Sequence, residues 1–174
     1  MPQLPKFARA TTRSAKLIVI LAAAFALGSC TRGLETAPEV RFTSLGGPPL
    51  STSDLRGKVV LVNFWATSCE VCVREMPMLT ETWRRFAPRG YEIVAVAMSY
   101  DHPNLVADFV RRNQLPFRIA LDLDGQLARQ WGNVRATPTT FVVDRRGRIV
   151  KQYIGEPGAA ELQALIEKTL AEPA

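Results

Sequence analysis

Histidine is almost missing from this 174-residue sequence, where His102 is the only one. Cysteine is scarce too, with three positions: Cys30, Cys69 and Cys72. A structural zinc site needs four ligands, mostly Cys and His. No second cysteine pair or histidine pair exists here to complete one. Long apolar runs are lacking as well. The unbroken run at residues 17–27 falls short of the ~20 residues that cross a bilayer comfortably. No acid precedes Glu35, and no Arg-Arg pair precedes the apolar run, so a twin-arginine export signal is not visible. Internal repeats and low-complexity segments are absent. A surplus of basic charge is only nominal. The formal net charge is +6, but Lys6, Arg9, Arg13 and Lys16 all lie ahead of the apolar run. Without them the remainder is nearly neutral, which argues against a nucleic-acid partner.

The start of the chain reads as an address. Four positive charges, a short apolar core and the small residues Gly28 and Ser29 make residues 1–29 an export signal. Leu27-Gly28-Ser29-Cys30 is similar to a bacterial lipobox, which implies lipidation of Cys30 after cleavage just before it. An uncleaved signal anchor is the competing reading. Either one places the rest of the chain outside the cytoplasm on a membrane tether. Residues 30–39 show no periodic apolar pattern and read as a linker, leaving 40–174 as one domain. With hydrophobic residues at 47% and charged residues at 22%, that domain is globular.

Apolar periodicity then sets out the domain. Val59–Trp65 is β-rich and apolar on both parities, as in a strand buried on both faces. Met76, Leu79, Trp83 and Phe86 recur at helical spacing over residues 69–87. Tyr91–Met98 is a second buried strand. A helix is expected over 103–113, with Pro103 in its first turn. A short strand is expected over 117–121 and a short helix over 125–131. Thr139–Val143 and Arg148–Tyr153 form a hairpin around Asp144-Arg-Arg-Gly147, and 161–170 is a closing helix. Residues 40–58 add an N-terminal strand or hairpin and a helical turn near Leu55. The fold class is α/β, a mixed β-sheet with helices on both faces.

Cys69-Glu-Val-Cys72 is the strongest chemical feature. It follows a buried strand and opens a helix, whose unpaired N–H groups and positive dipole end stabilise a thiolate. Cys69 is the expected exposed nucleophile and Cys72 the more buried resolving thiol. Two plainer readings compete: an inert disulfide, whose short loop would restrain the unfolded chain little, and half of a metal site. Glu75 lies one turn beyond Cys72 and can face the pair to carry a proton. A solvated helix acid is its plainer reading. Trp65 is expected either in the core or in contact with a partner. Trp83 and Trp131 read as core, His102 as surface, and Pro77 as a kink inside its helix.

The stretch Lys58–Pro77, with Leu55-Arg-Gly upstream, Glu92–Met98 and Ala136-Thr-Pro-Thr-Thr-Phe141, resembles the TlpA/ResA-like (CcmG/DsbE-related) branch of the thioredoxin superfamily. The resemblance covers about residues 40–170. It implies a thioredoxin fold with an extra N-terminal strand or hairpin and a helix–strand insertion at 103–121. It also implies that Pro138 is the family's cis-proline, and that Thr137 offers backbone hydrogen bonds to an extended substrate segment. Asn63 stands where cytoplasmic thioredoxins carry a buried Asp. Asn exchanges no proton, which leaves that role to Glu75. Val71 replaces a frequent Pro between the cysteines, and Glu70 adds a negative charge that opposes the thiolate.

The expected function is that of an extracytoplasmic reductase of protein disulfides. The resemblance implies substrates such as the haem-site cysteines of apocytochrome c or copper-site cysteines, and a membrane thiol carrier of CcdA or DsbD type as electron donor. No cofactor is expected beyond the redox-active Cys69–Cys72 pair. The same chemistry run backwards gives a disulfide donor. A Cu(I)-binding chaperone is the alternative of a different class, with His102 the residue to watch. The Thr-x-x-Cys pattern of a peroxidatic cysteine is absent.

Overall fold

The structure is a computed structural model that describes residues 35–174. Cys30 and the expected export signal lie outside the described residues. The strands are β1 (Arg41–Ser44), β2 (Leu50–Ser51), β3 (Val59–Trp65), β4 (Tyr91–Ala97), β5 (Arg118–Leu121), β6 (Thr139–Val143) and β7 (Ile149–Ile154). The helices are α1 (Glu70–Phe86), α2 (Pro103–Asn113), α3 (Gln126–Gln130) and α4 (Ala159–Ala171). They build a thioredoxin-like α/β domain around one mixed sheet of order β2-β1-β5-β4-β3-β6-β7.

The order follows from two chain segments that return in different ways. β3, β4 and β5 are parallel and are joined by α1 and α2 as crossovers. β6 then adds antiparallel to β3 on its other side, and the turn at 144–148 brings β7 back alongside β6. At the far edge β1 pairs antiparallel with β5 and carries the short β2.

Every residue of β3 is buried, because helices cover both faces of the central strands. Val59, Leu61 and Trp65 pack with Met76 and Leu79 of α1, Val106 of α2, and Leu162 and Ile166 of α4. Val60, Val62 and Phe64 point the other way, into a cluster with Leu127 of α3, Trp131 and Phe141. Trp131 is 2% exposed and its ring lies 5.2 Å from Phe141. Trp83 is half-buried, with its indole N–H donating to Glu92 Oε1 at 3.0 Å. α1 continues through Pro77 as a single helix.

The linker expected over 30–39 needs correction at its end. Ile149 N–H donates to the Glu35 carbonyl at 2.7 Å, and Ala37 N–H donates to the Gly147 carbonyl at 2.9 Å. Ala37 and Val40 are buried against the face that holds Phe64. The domain therefore includes residues 35–39. They carry too few apolar side chains to show a period, and a neighbouring hairpin supplies their hydrogen bonds.

Candidate active site

The sheet brings the C-terminal ends of β3 and β4 and the N-terminal end of β6 to one edge. The first two ends lead into loops that turn into helices, and the third is preceded by the Thr137–Pro138 loop. Register places these loops together. Thr139 pairs with Phe64, so Pro138 stands beside the position of Trp65, four residues before Cys69.

Cys69 and Cys72 form a disulfide with an S–S distance of 2.14 Å and Cα atoms 5.2 Å apart. Cys69 is the N-cap of α1, in extended backbone, and its sulfur accepts a hydrogen bond from Cys72 N–H at 3.2 Å. The amide that would otherwise be an orphan donor of the helix start is thus aimed at the Cys69 sulfur. Once the disulfide is reduced, the same geometry stabilises negative charge there. Cys69 is partly exposed and Cys72 is 0% exposed. An incoming disulfide can reach the first sulfur and not the second.

Beneath the pair lies a polar group in an apolar setting. Glu75, one turn beyond Cys72, is 0% exposed. Its Oε1 accepts from Asn63 Nδ2 at 2.8 Å, while its Oε2 has no hydrogen-bond partner. Burial raises the Glu75 pKa to about 7. The Asn63 hydrogen bond opposes that rise, and the charge of Glu156 adds to it. A carboxyl group that ionises near neutrality is suited to taking and returning a proton. The solvated-acid reading of Glu75 does not survive its complete burial.

Asn63 is more than a departure from a buried Asp. Nδ2 also donates to Thr140 Oγ1 at 3.0 Å, so the amide ties Glu75 to β6 across the sheet. Sequence reasoning missed this pairing, although parity signals it: Asn63 shares the face of Leu61 and Trp65, on which α1 lies. A second group it missed is Asp101, 8% exposed in the loop after β4. Its two oxygens accept from Thr67 N–H at 2.6 Å and from Thr67 Oγ1 at 2.7 Å. This two-pronged grip holds the loop that delivers Cys69. Nothing in the local sequence distinguishes Asp101 from a solvated loop acid.

The remaining expected residues are placed as follows. The Thr137–Pro138 bond is cis and Pro138 is buried, its carbonyl accepting from Gly155 N–H at 2.8 Å. Thr137 is partly exposed, its hydroxyl 3.4 Å from the Tyr100 hydroxyl. Trp65 requires a correction. It is 0% exposed and its ring lies 5.2 Å from that of Phe109 of α2, tilted by 50°. A covered indole packs the core and touches no partner. His102 is exposed and caps α2, with Nδ1 accepting from Asn104 N–H at 3.3 Å. Among the described residues no group of three His, Cys, Asp or Glu side chains is placed to hold a metal ion.

Known proteins resemble this chain in sequence and in fold. The sequence profile of the Redoxin family matches residues 34–166. The thiol-disulfide oxidoreductase ResA of Geobacillus kaustophilus is 38% identical over 166 residues, covering 87% of this chain and 90% of the relative. ResA of Bacillus thuringiensis (strain Al Hakam) is 35% identical over 135 residues, covering 77% and 76%. Among solved structures, a candidate thiol:disulfide interchange protein DsbE from Chlorobium tepidum superposes with a TM-score of 0.71 at 29% identity, covering 79% of this chain and 97% of that one. With a disulfide-bonded Cys-x-x-Cys at the head of α1 and this likeness along the described domain, the chain belongs to the Redoxin family and is a thiol–disulfide oxidoreductase of the ResA type.

Proposed function

We propose that this oxidoreductase works outside the cytoplasm, tethered to a membrane through the segment ahead of Glu35, and that it reduces disulfides in protein substrates. In the reduced enzyme the Cys69 thiolate attacks one sulfur of the substrate disulfide. The substrate's other sulfur leaves as a thiolate and takes a proton. Glu75 accepts the proton of the Cys72 thiol, and Cys72 attacks the Cys69 sulfur of the mixed disulfide. The second substrate thiol leaves, two electrons have passed to the substrate, and Cys69–Cys72 is oxidised. Asn63 holds Glu75 in place, and the loop at Thr137–Pro138 offers backbone groups to an extended substrate segment.

Glu75 carries this reading, as a wholly buried acid with one oxygen free, one turn behind the resolving cysteine. The names of the ResA relatives support exchange chemistry. The substrates proposed are the paired cysteines of an apocytochrome c haem site or of a copper site. The proposed electron source is a membrane thiol carrier of CcdA or DsbD type, and the proposed anchor is either lipidated Cys30 or an uncleaved signal segment. The direction of exchange is tested by the reduction potential of the Cys69–Cys72 couple in redox buffers. A value near about −270 mV supports the reductase, and one near about −120 mV replaces it with a disulfide donor.

A further inference from the structure

The domain is electrically polar along its strands. α1 and α2 link parallel strands, so both begin at the edge that carries Cys69 and end at the opposite edge. α4 runs in the same sense as α1: Arg85 meets Gln163, and further along Arg89 meets Glu167. The last turns of these helices carry Arg84 and Arg85, Arg111 and Arg112, and Lys168. The first turns of α1 and α4 carry Glu70 and Glu161. Each charge suits its own helix dipole, and because the helices are aligned the effect adds up over the molecule.

The β6–β7 turn returns to the same basic edge. There Arg56 donates to the Arg146 carbonyl, and Arg145 donates to the Arg89 carbonyl. A carbonyl positions a guanidinium without cancelling its charge. The edge also holds acids, but most are already matched. Asp144 is paired with Arg148, Glu167 with Arg89, and Glu92 with Lys58 and Arg118. Glu35 and Glu172, both exposed and in no ion pair among the described residues, also lie here. Among the described residues Arg56, Arg84, Arg112, Arg145 and Arg146 belong to no ion pair. All of them except Arg145 are exposed.

This is also the edge at which the chain enters the domain. Glu35 is hydrogen-bonded to Ile149, and Thr36 bridges to Arg148. Counted from Cys30, the chain reaches Glu35 within roughly 18 Å even when fully extended, and from the end of the apolar run within roughly 29 Å. β3 alone, at seven residues, is roughly 23 Å long. A tether of that length keeps the entry edge near the lipid, and surface charge then selects how the domain rolls about it, within a Debye length of about 8–10 Å.

We propose that the edge formed by the β6–β7 turn and the helix C-termini rests on an anionic lipid surface, which holds the Cys69–Cys72 edge away from the bilayer. The proposal relies on the tethered reading above. Its consequence is that protein substrates meet the cysteines from the solvent side, while a thiol donor in the membrane plane reaches Cys69 only when the domain lifts off. Each basic side chain near such a surface adds roughly fivefold to the affinity.

The test uses the full chain, isotope-labelled, in nanodiscs that carry a gadolinium-chelating lipid. One set of discs is made of phosphatidylcholine alone and the other is mixed with phosphatidylglycerol. In the mixed discs the amide signals of Arg146, Gly147 and Arg112 are expected to be lost, and those of Thr67–Cys69 retained. In phosphatidylcholine discs that contrast should shrink to what the tether alone imposes at the entry edge. It should shrink likewise in an Arg84→Gln/Arg112→Gln/Arg146→Gln variant, whose disulfide exchange with a small soluble disulfide serves as the check on folding. Equal loss at both edges, or the same pattern in both lipids, overturns the proposal. The tether is read separately, by flotation of the full chain with phosphatidylcholine vesicles in high salt. If flotation fails there while the mixed discs still show the contrast, the tether is wrong and the lipid-facing edge stands. An acidic protein as the true occupant of this edge would appear as the same contrast in both discs, which overturns the proposal.

Discussion

At the scale of single residues the chemistry depends on where charge is allowed to exist. Glu75 has a native pKa of about 7 against an ordinary value of 4.5. The folded protein therefore binds a proton that the unfolded chain has released between those two values. Stability falls as pH rises through that window and levels off above about pH 7. The shift corresponds to about 3 kcal/mol. Urea unfolding of the oxidised protein at pH 5 and pH 8 should show a loss of that order, and Glu75→Gln should remove most of the difference. The same substitution should slow disulfide exchange by about two orders of magnitude near neutrality and flatten its pH profile, since a proton acceptor of this kind contributes ~10²-fold or more. An unchanged profile would leave Glu75 as a buried acid without a part in exchange. The cysteines separate by burial. Cys69→Ala should abolish exchange, whereas Cys72→Ala should accumulate mixed disulfides, seen as substrate-sized adducts on non-reducing gels. Full turnover by Cys72→Ala would contradict the assigned roles.

Among the elements, the start of α1 is held from three sides. The Cys72 amide points at the Cys69 sulfur, Asp101 grips Thr67, and Asn63 joins α1 to β6 through Glu75. Asp101→Ala removes two hydrogen bonds to a charged acceptor and leaves Thr67 N–H without its partner. The expected cost is about 2–4 kcal/mol in urea unfolding, together with slower exchange. Asp101→Asn should recover part of both. The elements themselves were legible, because Val59–Trp65, Pro103–Asn113 and Thr139–Val143 advertise their class by apolar parity, a Pro at the helix start and β-branched content. The contacts between elements were not. Asp101 and Thr67 are 34 residues apart, and no local pattern couples a loop acid to a distant threonine.

For the whole molecule, the sheet order decides what is close and what is opposed. Residues 35–39 read as linker in the sequence, yet they close the domain against the β6–β7 hairpin. Removing residues 1–34 should therefore leave cooperative unfolding essentially intact. Removing 1–40 exposes that hairpin edge and the site filled by Ala37 and Val40, and should cost about 3 kcal/mol. Thermal unfolding of the two fragments checks this. Aligned helices with basic last turns give the molecule its charge polarity, which composition conceals, since apart from the segment ahead of the apolar run the chain is close to neutral.

The sequence alone determined the fold class, the cysteine pair at a helix start and the chemistry open to it. These depend on short-range patterns: apolar period, capping position and the spacing of two thiols. Only the tertiary structure decided that Glu75 is sealed in with one oxygen free, that Asn63 and Asp101 belong to the site, that Trp65 is core, and that Arg56, Arg84, Arg112 and Arg146 gather at the edge opposite the cysteines. Burial and long-range pairing depend on what packs from elsewhere in the chain. A residue's surroundings, which set its pKa and its reach, exist only once strands far apart in sequence lie side by side.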